Sequence, residues 1–453
     1  MKGIMNMLKS LFVLFAASGL AQAASSLTPV PCNLAFSAAY LEGQDFNCHQ
    51  LSVPARHQDP AKGSYSLHIL RIKSPFHSPG TPTIMLNGGP GGTLDGFLQM
   101  WLRPDLYNPA AKPEWMNAFL QQGDVILYDQ RGTGKSEPET SCQTVSSMEE
   151  CIKAVQEKGV DVTTLTTVES AEDLEDLKLA LGGKINLYGL SYGTYLAQKH
   201  LKYHPDGIQK VVLQGVMDTR RFRDLDQGAY VAQVIQLCET SPICTRWYPT
   251  LKTDYVALLD QLTLKPVVVH SLGQDFTIDQ HVLNFLLFME GYSQALEIPR
   301  SIDQLALGDF SKLVQEQGMY LTPQSPINSA MNQMMGVHMY CAIDPQETPC
   351  KEANYAYLPD PADYNAPLQT DLPVLLLSGQ LDPITPPALA EQVQKGLKNH
   401  LHVVLPAGGH GSYGNPQELQ CTVHILSDFL ESGTAVNQDC LQDLPPLNFL
   451  PPL

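Results

Sequence analysis

The chain has 453 residues, of which 43% are apolar and 16% charged, and its formal net charge is −18 at pH 7. This length exceeds what one compact core usually holds, so we expect one core with one inserted unit. Binding to nucleic acid or to an anionic membrane surface needs a basic face, so the acidic balance argues against both as partners.

The first 23 residues form a candidate export signal. Lys2 and Lys9 lie in a charged start, Leu11–Leu20 is an apolar run, and Ala21–Ala23 supplies the small residues that a signal peptidase recognises. The apolar run is much shorter than the roughly 20 residues of a membrane-spanning helix. We therefore expect cleavage near Ala24 and a periplasmic or secreted protein with no membrane anchor.

Ten cysteines in a chain with an export signal predict disulfides. Their spacing favours five bridges between near neighbours, each closing a local loop. The predicted pairs are Cys32–Cys48, Cys142–Cys151, Cys238–Cys244, Cys341–Cys350 and Cys421–Cys440. Zinc is the alternative, but the chain has no CxxC pair and no short cluster of histidine and cysteine at these spacings. We therefore expect no metal site.

Short apolar runs alternate with helical patterns through much of the chain, which is typical of a mainly parallel sheet with crossover helices. The predicted strands, in chain order, are Tyr65–Ile72, Thr83–Leu86, Asp124–Tyr128, Ile185–Tyr188, Val211–Gln214, Val374–Leu377 and His402–Leu405. Helices are predicted between these strands, at Ala171–Leu181, Ser191–His204 and Pro387–Leu397.

The alternation fails between residues 219 and 370, where helix-like patterns dominate. We therefore predict an inserted cap at 219–370. After a signal peptide at 1–23, the core would consist of two parts, at 24–218 and 371–453. The proline-rich tail Leu444–Leu453 is expected to follow an extended path on the surface.

A candidate nucleophile lies between a predicted strand and a predicted helix. The segment Gly189–Gly193 reads GLSYG and so has the GxSxG pattern of a nucleophile elbow, with Ser191 at its centre. Such a turn places the serine at strained backbone angles and leaves no room for a side chain on either flank, which explains the glycines. The pattern alone is common, so its position between strand and helix carries the prediction.

Two further polar residues follow the last two predicted strands. Asp382 comes after Val374–Leu377, and His410 comes after His402–Leu405 in a glycine-rich loop. The order Ser, Asp, His is that of the α/β-hydrolase fold, and loops at the carboxyl ends of parallel strands meet where ligands bind. His410 would take the proton of Ser191 while Asp382 fixes the tautomer of the imidazole. The alternatives are a turn aspartate before proline and a surface histidine.

A glycine-rich loop, Asn87–Gly92, follows the strand Thr83–Leu86. Glycines there let backbone N–H groups approach a developing oxyanion, and each such donor contributes ~3 kcal/mol to the transition state. We predict the amides of Gly89 and Tyr192 as the donors, since Pro90 has no N–H. The alternative is a flexible turn.

The segment Asp129–Ser136 ends in Gly-Lys-Ser and so resembles part of a phosphate-binding loop. Asp129 stands where the first glycine of that motif is required, so the motif fails. A structural turn is predicted instead, with Arg131 paired to a carboxylate.

Five segments together resemble the tripeptidyl and prolyl aminopeptidase group of α/β-hydrolases: NGGPGG, DQRGTGKS, NLYGLSYGTYLA, LLLSGQLDPITPP and AGGHG. The resemblance implies an α/β-hydrolase fold with a mostly parallel, eight-stranded sheet and a largely helical cap inserted before the acid. It also implies Ser191, Asp382 and His410 as the triad and no cofactor. The group often has histidine where Asn87 stands.

The same resemblance implies the substrates. Members of this group remove residues from the free amino terminus of short peptides, and acidic residues of the cap bind the ammonium group. The segment Met339–Asp344 resembles a cysteine-plus-acid segment of those caps, which makes Asp344 the first candidate. Glu290 is the second candidate, because it is an acid within an otherwise apolar helical pattern.

Three functions follow from these residues. The first is an exported serine aminopeptidase, and the second is a carboxylesterase with the same triad, because both reactions proceed through an acyl-enzyme. The third is a hydrolase-like binding protein without activity, which typically lacks a member of the triad. All three triad residues are present here, so the sequence favours an enzyme.

Overall fold

The structure is a computed structural model that describes residues 26–34, 40–76, 80–101, 114–141, 148–218, 226–321, 363–411 and 413–452. Its strands are β1 (Thr28–Val30), β2 (Phe46–Pro54), β3 (Ser64–Ile72), β4 (Thr83–Leu86), β5 (Val125–Tyr128), β6 (Ile185–Leu190), β7 (Ile208–Gln214), β8 (Val267–Ser271), β9 (Gln274–Ile278), β10 (Thr370–Gly379) and β11 (Leu397–Leu405).

The helices of the first part of the core are α1 (Leu94–Trp101), α2 (Glu114–Leu120), α3 (Met148–Glu157), α4 (Thr167–Ala180) and α5 (Tyr192–Tyr203). Between β7 and β10 lie α6 (Gln227–Thr240), α7 (Pro242–Trp247), α8 (Leu251–Leu264), α9 (Gln280–Gln294), α10 (Ile298–Ala306) and α11 (Ser311–Gln317). The last two helices are α12 (Pro387–Val393) and α13 (Pro416–Ser432).

The described strands of the core form one nine-stranded sheet in the order β1-β2-β3-β5-β4-β6-β7-β10-β11. The pairs from β5 through β11 are parallel, and those from β1 to β5 are antiparallel. The prediction of an α/β fold with a mostly parallel sheet is therefore confirmed. The described sheet has one strand more than the eight predicted, because the three-residue strand β1 extends its antiparallel edge.

Both faces of the sheet are buried, as the alternation along its central strands shows. Leu187 and Leu213 belong to one apolar cluster, whereas the adjacent Tyr188 and Val212 belong to the cluster on the opposite face. Burial on both faces explains why these strands are short, continuous apolar runs that the sequence could identify. Strand β2 was missed: its buried residues alternate with polar residues that are partly buried or exposed, near the antiparallel edge of the sheet.

The described residues 226–321 form a largely helical unit with its own apolar cluster. It also contains an antiparallel hairpin of β8 and β9, which the sequence reading did not include. The unit, which we call the cap, lies between β7 and β10, where a cap was predicted. Residues 219–225 and 322–362 lie outside the described residues. The boundaries of the cap and of the two parts of the core therefore stay predictions.

The C-terminal tail packs on the surface, as expected, except that one of its residues is buried. Phe449 is 2% exposed and belongs to the apolar cluster of the cap. The Tyr248 hydroxyl donates to the Leu450 carbonyl at 2.7 Å, and the Leu450 N–H donates to the Leu296 carbonyl at 3.2 Å. An apolar aromatic residue in the tail gains more from burial than from exposure, so the tail packs against the cap.

Three of the predicted disulfides are present: Cys32–Cys48, Cys238–Cys244 and Cys421–Cys440. Cys142, Cys341 and Cys350 lie outside the described residues, so the pairs Cys142–Cys151 and Cys341–Cys350 stay predictions. Cys151 is fully buried in the core and is disulfide-bonded.

Within the described residues, every helix is too short or too polar to cross a bilayer.

Candidate active site

Ser191 lies in the sharp turn between β6 and α5. Its backbone has φ 54° and ψ −121°, a strained conformation for a residue with a side chain. A Cβ atom on Gly189 would lie 2.6 Å from the Gly193 carbonyl oxygen, and one on Gly193 would lie 2.1 Å from the Leu86 carbonyl oxygen. Close packing on both flanks therefore requires these glycines and holds the serine in its strained position.

His410 connects the serine to the acid. Its Nε2 atom lies 2.9 Å from Ser191 Oγ, and its Nδ1 atom lies 2.9 Å from Asp382 Oδ2. The side chains of His410 and Asp382 are almost fully buried. The structure thus brings the three predicted triad residues together, in the arrangement in which an imidazole can accept a serine proton while a carboxylate orients it.

The carboxylate of Asp382 is held by its own loop. Its Oδ1 atom accepts from the N–H groups of Ile384 and Thr385, both at 2.8 Å, and Oδ2 accepts from the Thr385 hydroxyl at 2.6 Å. Burial raises the pKa of Asp382, but the charge of His410 and the hydrogen bonds from His410 and Thr385 outweigh it, so that the pKa lies below its ordinary value. Asp382 is therefore ionised at neutral pH and can orient the imidazole of His410.

Thr385 is a residue of the site that the sequence reading missed. Besides donating to Asp382, its hydroxyl oxygen lies 3.0 Å from His410 Nδ1. An aspartate side chain that accepts from the backbone two and three residues later is a common turn arrangement. The spacing of Asp382 and Thr385 around Pro383 carried that signal.

The predicted oxyanion loop lies against Ser191. A Cβ atom on Gly88 would lie 3.1 Å from the Ser191 Cβ atom, and Gly89 lines the same cleft as the serine. Tyr192 is the first residue of α5, so its N–H lies at the N-terminus of the helix, at the positive end of the helix dipole. Its hydroxyl donates to Thr167 at 3.1 Å, which anchors the elbow to α4.

The turn after β5 supports this loop. Asp129 accepts from the Leu94 N–H at 2.7 Å and from the Lys135 N–H at 2.9 Å, so it fastens the start of α1 to the turn. Burial raises the pKa of Asp129 to about 6 despite these hydrogen bonds. Arg131 is fully buried and forms two hydrogen bonds to Asp173, at 2.7 and 2.6 Å. The segment is a structural turn, and Arg131 has the carboxylate partner that the sequence predicted.

A cleft of about 210 Å³, the nucleophile cleft, opens onto the serine and the histidine. Its lining also includes the glycine-rich loop, Phe97, Leu190 and the cap residue Tyr292. The rings of Tyr292 and His410 lie 5.3 Å apart with their planes tilted by 34°. No sequence pattern separates Tyr292 from the other aromatic residues of the cap, because only packing brings it to the imidazole.

The structure does not bring Glu290 into the described lining of the nucleophile cleft. Its side chain is 1% exposed and accepts from the Ser301 hydroxyl at 2.6 Å, between α9 and α10. Glu290 and Tyr292 are two residues apart on a helix, so they project from opposite faces. Burial raises the pKa of Glu290 to about 7. Asp344, the other candidate for binding an amino terminus, lies outside the described residues.

The family model of the alpha/beta hydrolase fold matches residues 82–415. The chain belongs to this α/β-hydrolase family. Over 144 residues it is 28% identical to a proline iminopeptidase of Xylella fastidiosa strain Temecula1, a match that covers 32% of this chain and 34% of that protein. Over 200 residues it is 29% identical to the putative hydrolase YuaR of Escherichia coli K12, covering 39% of this chain and 37% of that protein.

These matches span about a third of the length of the relatives. Among solved structures, an esterase of Exiguobacterium antarcticum aligns with 82% of this chain and 97% of its own, at 16% identity and a TM-score of 0.39.

Proposed function

We propose that this protein is an exported serine aminopeptidase that releases residues or short peptides from free peptide amino termini through an acyl-enzyme. The observation that carries the proposal is the contact of His410 with both Ser191 and Asp382, each at 2.9 Å. A strained serine at the end of a central strand, within reach of a buried imidazole and carboxylate, is equipped for nucleophilic attack on an acyl carbon.

The arrangement supports a two-step reaction. Ser191 Oγ attacks the carbonyl carbon of the substrate as His410 Nε2 takes its proton, and the carbonyl oxygen becomes negative beside the N–H groups of Gly89 and Tyr192. The bond to the leaving nitrogen then breaks, and His410 delivers the proton to that nitrogen. A water molecule, deprotonated by His410, attacks the acyl-enzyme and restores the serine.

The peptidase assignment has two supports. The resemblance of the glycine-rich loop, the turn after β5 and the triad segments to aminopeptidases is the first. The second is the set of curated relatives that carry the name proline iminopeptidase. From the resemblance together with these names, we infer that the substrates here are short peptides with a free amino terminus.

A free amino terminus needs a carboxylate partner within the substrate site. No carboxylate lines the part of the nucleophile cleft that the structure describes. Asp344 is therefore our candidate for that partner. Glu290, the second candidate from the sequence, is packed against Ser301 and does not reach the described lining of the cleft.

Export is part of the proposal. Residues 1–23 have the pattern of a signal peptide, and the three disulfides of the described chain are compatible with the oxidising conditions of the periplasm or the exterior.

The decisive experiment compares free and N-acetylated chromogenic substrates of one, two and three residues. We expect turnover of the free forms to exceed that of the acetylated forms by at least tenfold, because a partly buried ion pair that loses one partner typically costs ~2–5 kcal/mol. Asp344→Asn should raise KM for free peptides and spare simple acyl esters. Equal rates on free and acetylated peptides would exclude the aminopeptidase function and favour an endopeptidase or the alternative carboxylesterase.

A further inference from the structure

A second cleft, of about 300 Å³, lies beside the His410 loop. We call it the histidine-side cleft. Ala407 and Gly409 of that loop, Tyr292 and Gln294 of α9, and Leu450 of the tail contribute to its lining. Within the described residues, Tyr292 is the one side chain that lines both this cleft and the nucleophile cleft. The two clefts are thus neighbours that meet at Tyr292, whose ring lies 5.3 Å from that of His410.

The chemistry of the triad gives the two sides different tasks. The proton that His410 takes from Ser191 goes next to the leaving atom, so the leaving part of the substrate must lie on the side of the imidazole. The carbonyl oxygen must face the glycine-rich loop, which lines the nucleophile cleft. The acyl part therefore belongs to the nucleophile cleft, which His410 also lines. The leaving part starts at the imidazole, and the space that continues from there past Tyr292 and the His410 loop is the histidine-side cleft.

We propose that the histidine-side cleft is the subsite for the leaving part of the substrate, and that it takes one or two mainly apolar residues. This inference rests on the proposed acyl-enzyme function. During acylation the carbon–nitrogen bond breaks, the carbon–Ser191 Oγ bond forms, and the serine proton passes through His410 to the nitrogen. The amine produced is the group that the subsite holds.

The lining agrees with an apolar occupant of limited size. Ala295, Leu296, Leu381 and Leu450 supply apolar surface. The carboxylate that lines the cleft, Glu297, accepts a hydrogen bond from Lys312 at 2.7 Å, so its charge is compensated. The volume is at the lower end of the roughly 300–1,000 Å³ of small-molecule sites, which suits a short segment.

The walls of the cleft are fixed by contacts between core, cap and tail. The Tyr230 hydroxyl donates to the Leu381 carbonyl at 3.1 Å and so joins the cap to the loop of the acid. A Cβ atom on Gly291 would lie 2.3 Å from that hydroxyl oxygen, so glycine is required for this approach. The burial of Phe449 and the two backbone hydrogen bonds of Leu450 hold the tail in place. A preformed wall of this kind lowers the entropic cost of binding.

The test uses the full-length protein and substrates that share one acyl residue but differ in the leaving group: ammonia, leucinamide or leucyl-leucinamide. For the wild type we expect kcat/KM to rise about tenfold from the first to the second, because one apolar side chain becomes buried. Gln294→Trp, at an exposed lining position, should remove this rise, so that the ratio of kcat/KM for the leucinamide substrate to kcat/KM for the simple amide falls to about one. His281→Trp, at an exposed position of the same helix, is the matched control and should preserve the whole series.

A second variant should change the preference for the leaving group in the opposite direction. Leu450→Ala enlarges the cleft, so kcat/KM for a substrate with tryptophanamide as the leaving group should rise relative to kcat/KM for the leucinamide substrate. The subsite assignment is overturned if Gln294→Trp lowers all rates equally, or if it changes the preference for the acyl residue instead. If the wild type hydrolyses esters and not peptides, the proposed aminopeptidase function is rejected. The subsite can then still be tested with a matching series of esters whose leaving alcohols increase in size.

Discussion

The core and the cap each bury a carboxylate, and the two behave in opposite ways. Asp382 and Glu290 are both 1% exposed. The pKa of Asp382 lies below its ordinary value because His410 and Thr385 outweigh burial, whereas the pKa of Glu290 rises to about 7 because burial outweighs the Ser301 hydrogen bond. Asp382 is thus charged and oriented towards His410, and Glu290 resists ionisation. Equal burial therefore does not imply equal function.

The largest difference between the two carboxylates should appear in the rate. Loss of the nucleophile in Ser191→Ala should lower kcat by ~10⁶, and loss of the orienting charge in Asp382→Asn should lower it by ~10⁴. Glu290→Gln should leave kcat within about twofold. Steady-state kinetics on one substrate measures all three, with circular dichroism to show that the folds are intact. A comparable loss in Glu290→Gln would mean that the cap carboxylate takes part in the reaction.

The Thr385 hydroxyl should matter through Asp382 rather than through the substrate. Thr385→Val removes a hydrogen bond to a charged group, worth ~1.5–3 kcal/mol, so kcat/KM should fall roughly 10- to 100-fold. The acidic limb of the pH profile should also move to higher pH, because a contact that lowers the pKa of Asp382 is lost. Thr385→Ser keeps the hydroxyl and should restore both. An unchanged pH profile in the valine variant would reduce Thr385 to a packing residue.

Glu290 should make the stability of the protein depend on pH. Its pKa is raised to about 7 from 4.5, so the folded state holds the proton more tightly than the unfolded state does. The free energy of unfolding should therefore fall as pH rises from about 4.5 to about 7, by roughly 3 kcal/mol in total. Glu290→Gln should lack this loss and be more stable than the wild type above pH 7. Urea denaturation at pH 5 and pH 8 measures the difference, and parallel curves for the two proteins would contradict it.

The disulfides give the smallest comparison between the two regions. Cys421–Cys440 of the core spans 19 residues, and Cys238–Cys244 of the cap spans 6. Loop-closure entropy then predicts that the bridge of the core stabilises by about 1 kcal/mol more than that of the cap. Thermal denaturation of the two double Cys→Ala variants compares them. A larger loss in the cap variant would show that loop length does not govern these bridges.

The same contrast explains what could be predicted from the sequence. Ser191, Asp382 and His410 each follow a buried parallel strand, and strand ends place such residues at one edge of the sheet. Thr385 was missed although its spacing from Asp382 carried a local signal. No sequence signal marked Tyr292, because only the packing of α9 against the His410 loop brings it to the imidazole.

The elements that the sequence reading missed have related causes. The hairpin of β8 and β9 is closed by Leu272 and Gly273, both with positive φ, and leucine at such a position gives no turn signal. Phe449 lies among prolines that favour an extended path and give no sign of burial, yet the cap offers an apolar cluster that buries it. In both cases the tertiary environment outweighs the local pattern.

Covalent labelling by a fluorophosphonate tests the central claim, that Ser191 is an activated nucleophile, most directly. The reagent phosphonylates a serine whose proton a neighbouring base can take, and peptide mapping by mass spectrometry identifies the modified residue. We predict stoichiometric labelling of the wild type at Ser191, loss of activity in proportion, and no labelling of Ser191→Ala. Labelling at another serine, or an active protein with Ser191 unmodified, would contradict the account.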